Sequence, residues 1–207
     1  MGHREDLLAG AMRCLVDKGY ARTTARDIVK ASGTNLASIG YHYGSKEALL
    51  NQALIQAIGD WGTGIEHAFA AGVDQDASPT ERFAAIWSRI VEQFASHQQL
   101  WLASVEVFAQ IGHVPAVRQA LADGVREGGR GLARLFQALA GSPADDADDE
   151  SLRIAGSLYQ ALMTGMMMQW LIDPEHSLSG RELVEALRVI AAWHRIGEPD
   201  EVTAPAG

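Results

Sequence analysis

The stretch Thr24-Ala25-Arg26-Asp27-Ile28-Val29-Lys30-Ala31-Ser32-Gly33-Thr34-Asn35-Leu36-Ala37-Ser38-Ile39-Gly40-Tyr41-His42-Tyr43-Gly44 has the pattern of two short helices joined by a tight glycine turn. Thr24 followed three residues later by Asp27 predicts a capping box opening the first helix, and Gly33 ends it. Thr34 or Asn35 can cap the second helix, over Leu36–Tyr43, and Gly44-Ser45 breaks it. A pair of this kind can lay its second helix in a DNA major groove. Ile39 and Tyr43, four apart, share an inward face, which turns Ser38, Gly40, Tyr41 and His42 outward. The small residues Ala37, Ser38 and Gly40 let the backbone approach the groove floor, while Tyr41 and His42 can bond phosphates or base edges. Lys46 falls in the first turn of the next helix, where its ammonium and the free backbone N–H groups can grip one phosphate.

Outward from this stretch the periodicity is helical nearly everywhere. Before it, Leu7, Leu8, Ala11, Met12, Leu15 and Val16 form one apolar stripe closed by Gly19. After it, Ser45 caps a long helix carrying Leu49, Leu50, Ala53, Leu54, Ala57, Ile58 and Trp61. Ser78-Pro79-Thr80-Glu81 combines a cap, a proline at the first helical position and a capping-box glutamate, and Phe83, Ile86, Trp87, Ile90, Val91 and Phe94 follow on one face. Further helices are expected over about Gln98–Ile111, Pro115–Ala140, Ser151–Ile172 and, after the Ser179-Gly180-Arg181-Glu182 cap, up to about Ile196. The acidic run from Asp145 to Glu150 is a solvated loop placed well before a helix start. No strand alternation and no internal repeat occurs. The expected fold is all-α, with about nine helices: a helix-turn-helix module over 1–46, a helical body over 47–197 and a frayed tail over 198–207.

Charge divides along the same line. The 207-residue chain has a formal net charge of -9, yet residues 1–50 carry seven basic and five acidic side chains, and the acidic excess lies entirely in the remainder. A module able to approach a polyanion followed by a body that is not suggests two separate jobs. The single cysteine, Cys14, excludes an intrachain disulfide framework or a cysteine-rich metal site; on its helix it reads as an inert, half-buried thiol. No apolar run reaches the length of a membrane span and the N-terminus has no export pattern, so a cytoplasmic setting without membrane contact is expected.

Thr23-Thr24-Ala25-Arg26-Asp27-Ile28, then Ala31-Ser32-Gly33, then Ser38-Ile39-Gly40-Tyr41-His42-Tyr43-Gly44-Ser45-Lys46-Glu47-Ala48-Leu49 strongly resembles the TetR family of bacterial transcriptional regulators. The resemblance covers about residues 4–55; beyond it the chain matches only in being an acidic helical body of suitable length. It implies a homodimer that binds a palindromic operator in double-stranded DNA and lets go when a small molecule occupies the C-terminal domain, most often as a repressor. Carried over by position, Arg26 and Ser38 reach bases while Tyr41, His42 and Lys46 hold the backbone. With Thr24, Asn35, Ala37 and Gly40 these make up the expected DNA-binding set. One departure is Gly40, which stands where the family commonly has an aromatic residue. A mid-helix glycine costs ~1 kcal/mol against alanine, so either the groove is approached closely there or the helix is soft.

The body offers less specific signals. Trp61, Phe69, Phe83, Trp87, Phe94, Trp101, Phe108, Met163, Met167 and Trp170 read mostly as core, although the four methionines Met163 and Met166-Met167-Met168 suit a site that repacks around its occupant. The candidate effector site comprises Trp61, Trp87, Trp101, Glu106, Phe108, Met163, Met167 and Trp170, for an apolar or aromatic ligand. Glu106, a carboxylate on an otherwise apolar helix, could orient a cationic ligand, although such a residue is more often a surface group. Glu92, His67, His97 and His113 are the other polar candidates near this apolar material, the histidines being more often satisfied surface or core groups. Leu158, Leu162, Leu183, Leu187 and Ile190 on the last two helices form the expected dimer face, with Gly156, Ala161 and Gly165 permitting close approach, so that two helices from each subunit make a four-helix bundle. The long helix from Lys46 past Trp61 is the expected mechanical link between body and DNA.

Enzymatic motifs are missing: there is no His-Glu-x-x-His, no Gly-x-Ser-x-Gly and no phosphate loop, since Gly128-Gly129-Arg130-Gly131 falls within a helix and follows no strand. No enzyme activity, metal or cofactor is expected. The alternative is a constitutive or architectural DNA-binding protein whose body only dimerises and takes no ligand.

Overall fold

The computed structural model describes residues 2–70, 74, 76–141 and 148–194, with side chains at 66–70 excepted. The tail expected over 198–207, residues 145–147 of the acidic run, and the side chains of His67 and Phe69 lie outside the described residues and side chains. Among the described residues the fold is nine helices and no strand: α1 (His3–Lys18), α2 (Ala25–Ser32), α3 (Leu36–Tyr43), α4 (Lys46–Ala70), α5 (Pro79–Ser96), α6 (Gln98–Phe108), α7 (Pro115–Leu139), α8 (Asp149–Ile172) and α9 (Gly180–His194).

The helix starts follow the chemistry written in the sequence. Thr24 and Asp27 close a capping box on α2, as Ser78 and Glu81 do on α5; Asn35 caps α3 and Asp148 caps α8. Each cap satisfies a backbone N–H that the helix cannot. The second hydrogen bond of each box lands on a carboxylate and holds it ionised. Asp27 lies well below the ordinary carboxylate range, chiefly through Lys18 and then through Thr24, and Glu81 and Glu182 are lowered by Ser78 and Ser179. Gly33 ends α2 in the left-handed region, at φ 70°.

The N-terminal helices α1 to α4 share a core of Leu7, Ala11, Leu15, Ile28, Ile39, Leu49, Leu50 and Leu54. α1 packs on α2, α3 and α4 and reaches α6 of the body. Gly10 makes the α1–α2 contact possible, because a Cβ there would meet the Ser32 Cβ at 2.8 Å. In the body, α7 runs against α8 and α5 against α9. Both pairs are set by glycine. A Cβ on Gly156 would stand 2.4 Å from the Gly129 carbonyl oxygen, and one on Gly180 would stand 2.2 Å from the Ala84 carbonyl oxygen.

Two expectations for the last helices are corrected by this packing. Leu183 is 3% exposed and belongs to the chain's own core, where α9 lies on α5. Gly156 is spent on the intrachain contact with Gly129, leaving Gly165, where a Cβ would meet nothing within 4 Å, and exposed Ala161 as the small residues open to a partner. Leu162 and Leu187 are half-buried against the core, whereas Leu158 and Ile190 are exposed.

These contacts predict opposite outcomes for two alanine substitutions in neighbouring helices. Gly156→Ala forces backbones apart and should lower unfolding stability by ~1–3 kcal/mol. Gly124→Ala on α7, where a Cβ meets nothing, should leave stability unchanged or raise it by up to ~1 kcal/mol. Urea unfolding of both variants checks this; a Gly156→Ala protein as stable as the parent would contradict the packing.

Candidate nucleic-acid interface

Of the residues expected to meet DNA, Thr24, Arg26, Asn35, Ala37, Gly40 and Tyr41 are exposed, while Ser38, His42 and Lys46 are half-buried. Ile39 is buried, so α3 is turned as its apolar positions require. Tyr41 stands 86% exposed, with His42 edge-on to it at 4.8 Å between ring centroids. Tyr43 points back: its hydroxyl donates to the Arg4 carbonyl at 2.6 Å, and the Arg4 guanidinium lies over its ring at 5.7 Å. Burial pushes the Tyr43 phenol up. This tyrosine fastens α3 to α1.

The nine candidates divide by what else holds them. Thr24 is committed to its cap, its hydroxyl donating to Asp27 Oδ2 at 2.7 Å. Asn35 Oδ1 accepts from both the Ser38 backbone N–H at 3.1 Å and the Ser38 hydroxyl at 3.2 Å, so its work is to start the recognition helix and orient Ser38. Lys46 Nζ donates to the Thr23 carbonyl at 3.3 Å and pairs with Glu47 at 3.3 Å, which anchors its stem at the base of α4. Gly40 is unconstrained from within, since a Cβ there would meet nothing within 4 Å. The protein's own packing therefore gives no reason for a glycine at this position.

Sequence reasoning missed the fastening of this module to the body. Tyr20 Oη donates to Asn51 Oδ1 at 2.6 Å, Asn51 Nδ2 donates to Gln110 Oε1 at 3.0 Å, and Gln110 Nε2 donates back to Tyr20 Oη at 3.2 Å. The closed ring ties the turn after α1, the helix α4 and the turn after α6. Asn51 is buried, and burial pushes the Tyr20 phenol up. A signal was present: Asn51 is an amide between Leu50 and Ala53 on an apolar stripe, and a buried amide needs partners. Thr23 is buried beside it, its hydroxyl donating to the Gly19 carbonyl at 2.7 Å and the Cys14 carbonyl at 3.2 Å. Burial raises the Cys14 thiol, the direction of an unreactive cysteine.

The effector candidates other than Glu106 belong to or pack against one core, with their rings in two groups. Trp61 and Trp101 meet edge-to-face at 4.6 Å, Trp101 meets Phe94, and Phe94 meets Trp170; Trp87 instead stacks on Phe136 at 5.8 Å. Phe108 and Met163 are half-buried against the core and Met167 is buried. Glu106 is exposed and lines a surface groove of about 540 Å³ with Lys18, Tyr20, Arg22 and Leu102. Its carboxylate thus stands apart from the aromatic interior it was expected to serve, which removes the basis for a buried cation site. A second groove of about 500 Å³ runs between α7 and α8 past Arg126, Arg130 and Arg153. Each of these arginines is held by the carboxylate three residues earlier on its own helix, Asp123, Glu127 and Glu150.

A small helical module that turns the outward face of its third helix to solvent, carried on a larger helical body, is the architecture of a helix-turn-helix DNA-binding protein. Residues 7–53 match the family model for bacterial regulatory proteins of the tetR family, and residues 78–193 match the model for the tetracyclin repressor-like C-terminal domain. The chain belongs to the TetR family of transcriptional regulators. It is 39% identical over 46 residues to the HTH-type transcriptional repressor AcnR of Corynebacterium efficiens, and 31% identical over 83 residues to the HTH-type transcriptional regulator BetI 1 of Chromohalobacter salexigens. These matches cover 22% and 40% of this chain, and 24% and 40% of the two relatives. Its fold is similar to the crystal structure of Thermus thermophilus FadR, a TetR-family transcriptional repressor in complex with lauroyl-CoA, with a TM-score of 0.62 at 23% identity over 99% of this chain and 100% of that one.

Gly40 yields a two-sided prediction. Gly40→Ala should stabilise the folded protein by up to ~1 kcal/mol, because the space is open, yet weaken DNA binding, because the added methyl stands on the face turned to the groove. Thermal unfolding and fluorescence anisotropy on one preparation read both; unchanged DNA affinity would remove Gly40 from the interface.

Proposed function

We propose that this regulator is a repressor that works in the cytoplasm as a homodimer on a palindromic operator and is released by a small apolar ligand held in its helical body. The observation that carries the DNA part is the exposed face Ala37, Gly40 and Tyr41, with half-buried His42 beside it, on a helix whose opposite side, at Ile39, is sunk in the module core. Arg26 and Ser38 read bases in this scheme, and Tyr41, His42 and Lys46 hold phosphates. Thr24 and Asn35 contribute by fixing helix starts. The module comprises residues 1–46 and the body 47–197. The ligand part is supported by a body dense in aromatic rings and methionines, and by the family's C-terminal domain model.

Two-fold pairing is supported by the exposed apolar groups on α8 and α9. Ile154, Leu158, Ala161 and Gly165 follow at helical spacing on one exposed stripe of α8, and Ile190 and Trp193, the latter 75% exposed, are exposed on α9. An exposed apolar stripe of this length marks an association surface. Leu158 and Ile190 remain the interface residues, Leu162 and Leu187 flank them, and Leu183 is excluded as core.

Coupling between body and DNA runs through α4 and the Tyr20–Asn51–Gln110 ring, since a displacement of α6 must either carry the α1 turn with it or break the ring. The alternative, a constitutive DNA-binding protein, would keep its operator affinity whatever occupies the body.

Selection of bound fragments from genomic DNA should return an inverted repeat. On that repeat Lys46→Ala should weaken binding to operator and random DNA alike and reduce the salt slope by about one, whereas Arg26→Ala should relax base preference; equal losses on both DNAs for both variants would contradict these roles. For the dimer, Ile190→Glu should give a folded monomer with little operator affinity, while Leu183→Glu should fail to fold. Sedimentation and circular dichroism separate the two, and a dimeric Ile190→Glu protein at low micromolar concentration would place the interface elsewhere.

A further inference from the structure

The interior of the body has hydrogen-bonding capacity of only one kind left over. The buried polar side chains among the described residues are Thr23, Asn51 and Ser104, and none of them ionises. All three are engaged: Thr23 with the Gly19 and Cys14 carbonyls, Asn51 in its ring, and Ser104 through a hydroxyl that donates to the Leu100 carbonyl at 2.9 Å. What remains without a partner is the indole N–H of Trp61, Trp87 and Trp101, together with the Nε–H of half-buried Arg82. A buried donor left unpaired is costly and uncommon, so each one calls for a cause.

The three indoles differ. Trp61 and Trp101 cross at 83°, and Trp101 and Phe94 also cross at 83°, arrangements in which an aromatic face can take an N–H. Trp87 has no such neighbour. It is 0% exposed, lies nearly parallel to Phe136 at 11° and is tilted at 53° to Phe83, so neither ring presents its face to an N–H in the indole plane. Around it Phe83, Phe136 and Tyr159 close a set of rings from α5, α7 and α8, with Phe136 and Tyr159 4.5 Å apart. Burial raises the Tyr159 phenol, which keeps it protonated and able to donate as well.

We propose that the ligand of the body is a neutral, mainly apolar molecule whose carbonyl-type oxygen accepts the indole N–H of Trp87, its apolar part lying among Phe83, Phe136 and Tyr159. This rests on the ligand-responsive reading above and adds the ligand's chemistry to it. The ligand is neutral because the rings around Trp87, those of Phe83, Phe136 and neutral Tyr159, carry no charge to offset one. Arg82, the one charged side chain with a leftover donor among the described residues, is only half-buried; an uncompensated buried charge is expensive. It carries an acceptor because the leftover groups are donors. Trp87 lies outside both surface grooves, and the unbranched methionines Met166 and Met167, buried in the same core, allow the rings to repack around an occupant.

The test is calorimetric titration of the full-length protein with four probes of one size: butyrophenone, butylbenzene, 4-phenylbutylammonium and 4-phenylbutanoate. The ketone should bind about tenfold more tightly than butylbenzene, the effect of one hydrogen bond to a buried donor, and more tightly than either ion. Trp87→Phe, which keeps the ring and removes the N–H, should abolish the preference, and Trp101→Phe should retain it. If Trp87→Phe does not fold, the Trp87 indole resonance in the ¹⁵N-labelled parent decides: it should move downfield with butyrophenone and not with butylbenzene. Equal binding of ketone and hydrocarbon, a preference that survives in Trp87→Phe, or tighter binding of either ion overturns the proposal while leaving a ligand-taking body intact. Binding of none of the four up to their solubility overturns both.

Discussion

The three-way hydrogen bond among Tyr20, Asn51 and Gln110 holds the two parts of this regulator in one register. It joins residues far apart in the chain at the place where the turn after α1, the long helix α4 and the turn after α6 meet. Asn51 is buried and Tyr20 and Gln110 are half-buried, so the bonds are partly screened from water, which strengthens them when all are made. A packed apolar contact tolerates small sliding, whereas a closed ring of directional bonds is either formed or broken. On the proposed ligand-responsive reading, such an element is what would carry a change in the body to the DNA-binding helix.

On either side of this junction the geometry is set by close backbone approach. Gly10 brings α1 against Ser32 of α2, and Tyr43 ties α3 to the Arg4 carbonyl, so the recognition helix is fixed relative to the helix that carries Tyr20 at its end. In the body, the Gly129–Gly156 and Gly180–Ala84 contacts lock α7 to α8 and α9 to α5. With those faces consumed, the outward stripe from Ile154 through Leu158 to Gly165, with Ile190 and Trp193, stays exposed and is the surface proposed for a second copy. The same locking leaves Trp87, on the face of α5 turned toward α7 and α8, with its ring stacked and its N–H unpaired.

Much of this was legible in the sequence because it is local. Caps at Thr24, Ser78 and Asn35, stops at Gly19 and Gly33, and the three-to-four spacing of leucines and isoleucines need only a few residues to act, and they placed the helices to within a few positions. The recognition face was legible for the same reason, since Ile39 and Tyr43 orient α3 by themselves. What the sequence hid depends on which helix meets which. Gly156 and Leu183 have the composition of a subunit interface, and only the pairing of α8 with α7 and of α9 with α5 shows them to be internal. Glu106 sits among apolar residues in the chain, yet its helix turns it to solvent. The ring of Tyr20, Asn51 and Gln110 spans contacts that no local pattern encodes, although a lone amide on an apolar stripe marked one corner of it.

The proposed coupling between occupancy of the body and DNA binding runs through the Tyr20–Asn51–Gln110 junction. It is tested most directly by measuring the affinity of butyrophenone for the free protein and for the protein saturated with its operator, in the parent and in Asn51→Ala. A coupling of ~2–3 kcal/mol corresponds to ligand binding roughly 30- to 150-fold more weakly to the operator complex, with operator affinity falling by the same factor when ligand is bound. That ratio is expected for the parent and a ratio close to one for Asn51→Ala. Equal ligand affinities in the free and operator-bound parent would contradict it, and a ratio undiminished in Asn51→Ala would show that the ring does not carry the coupling.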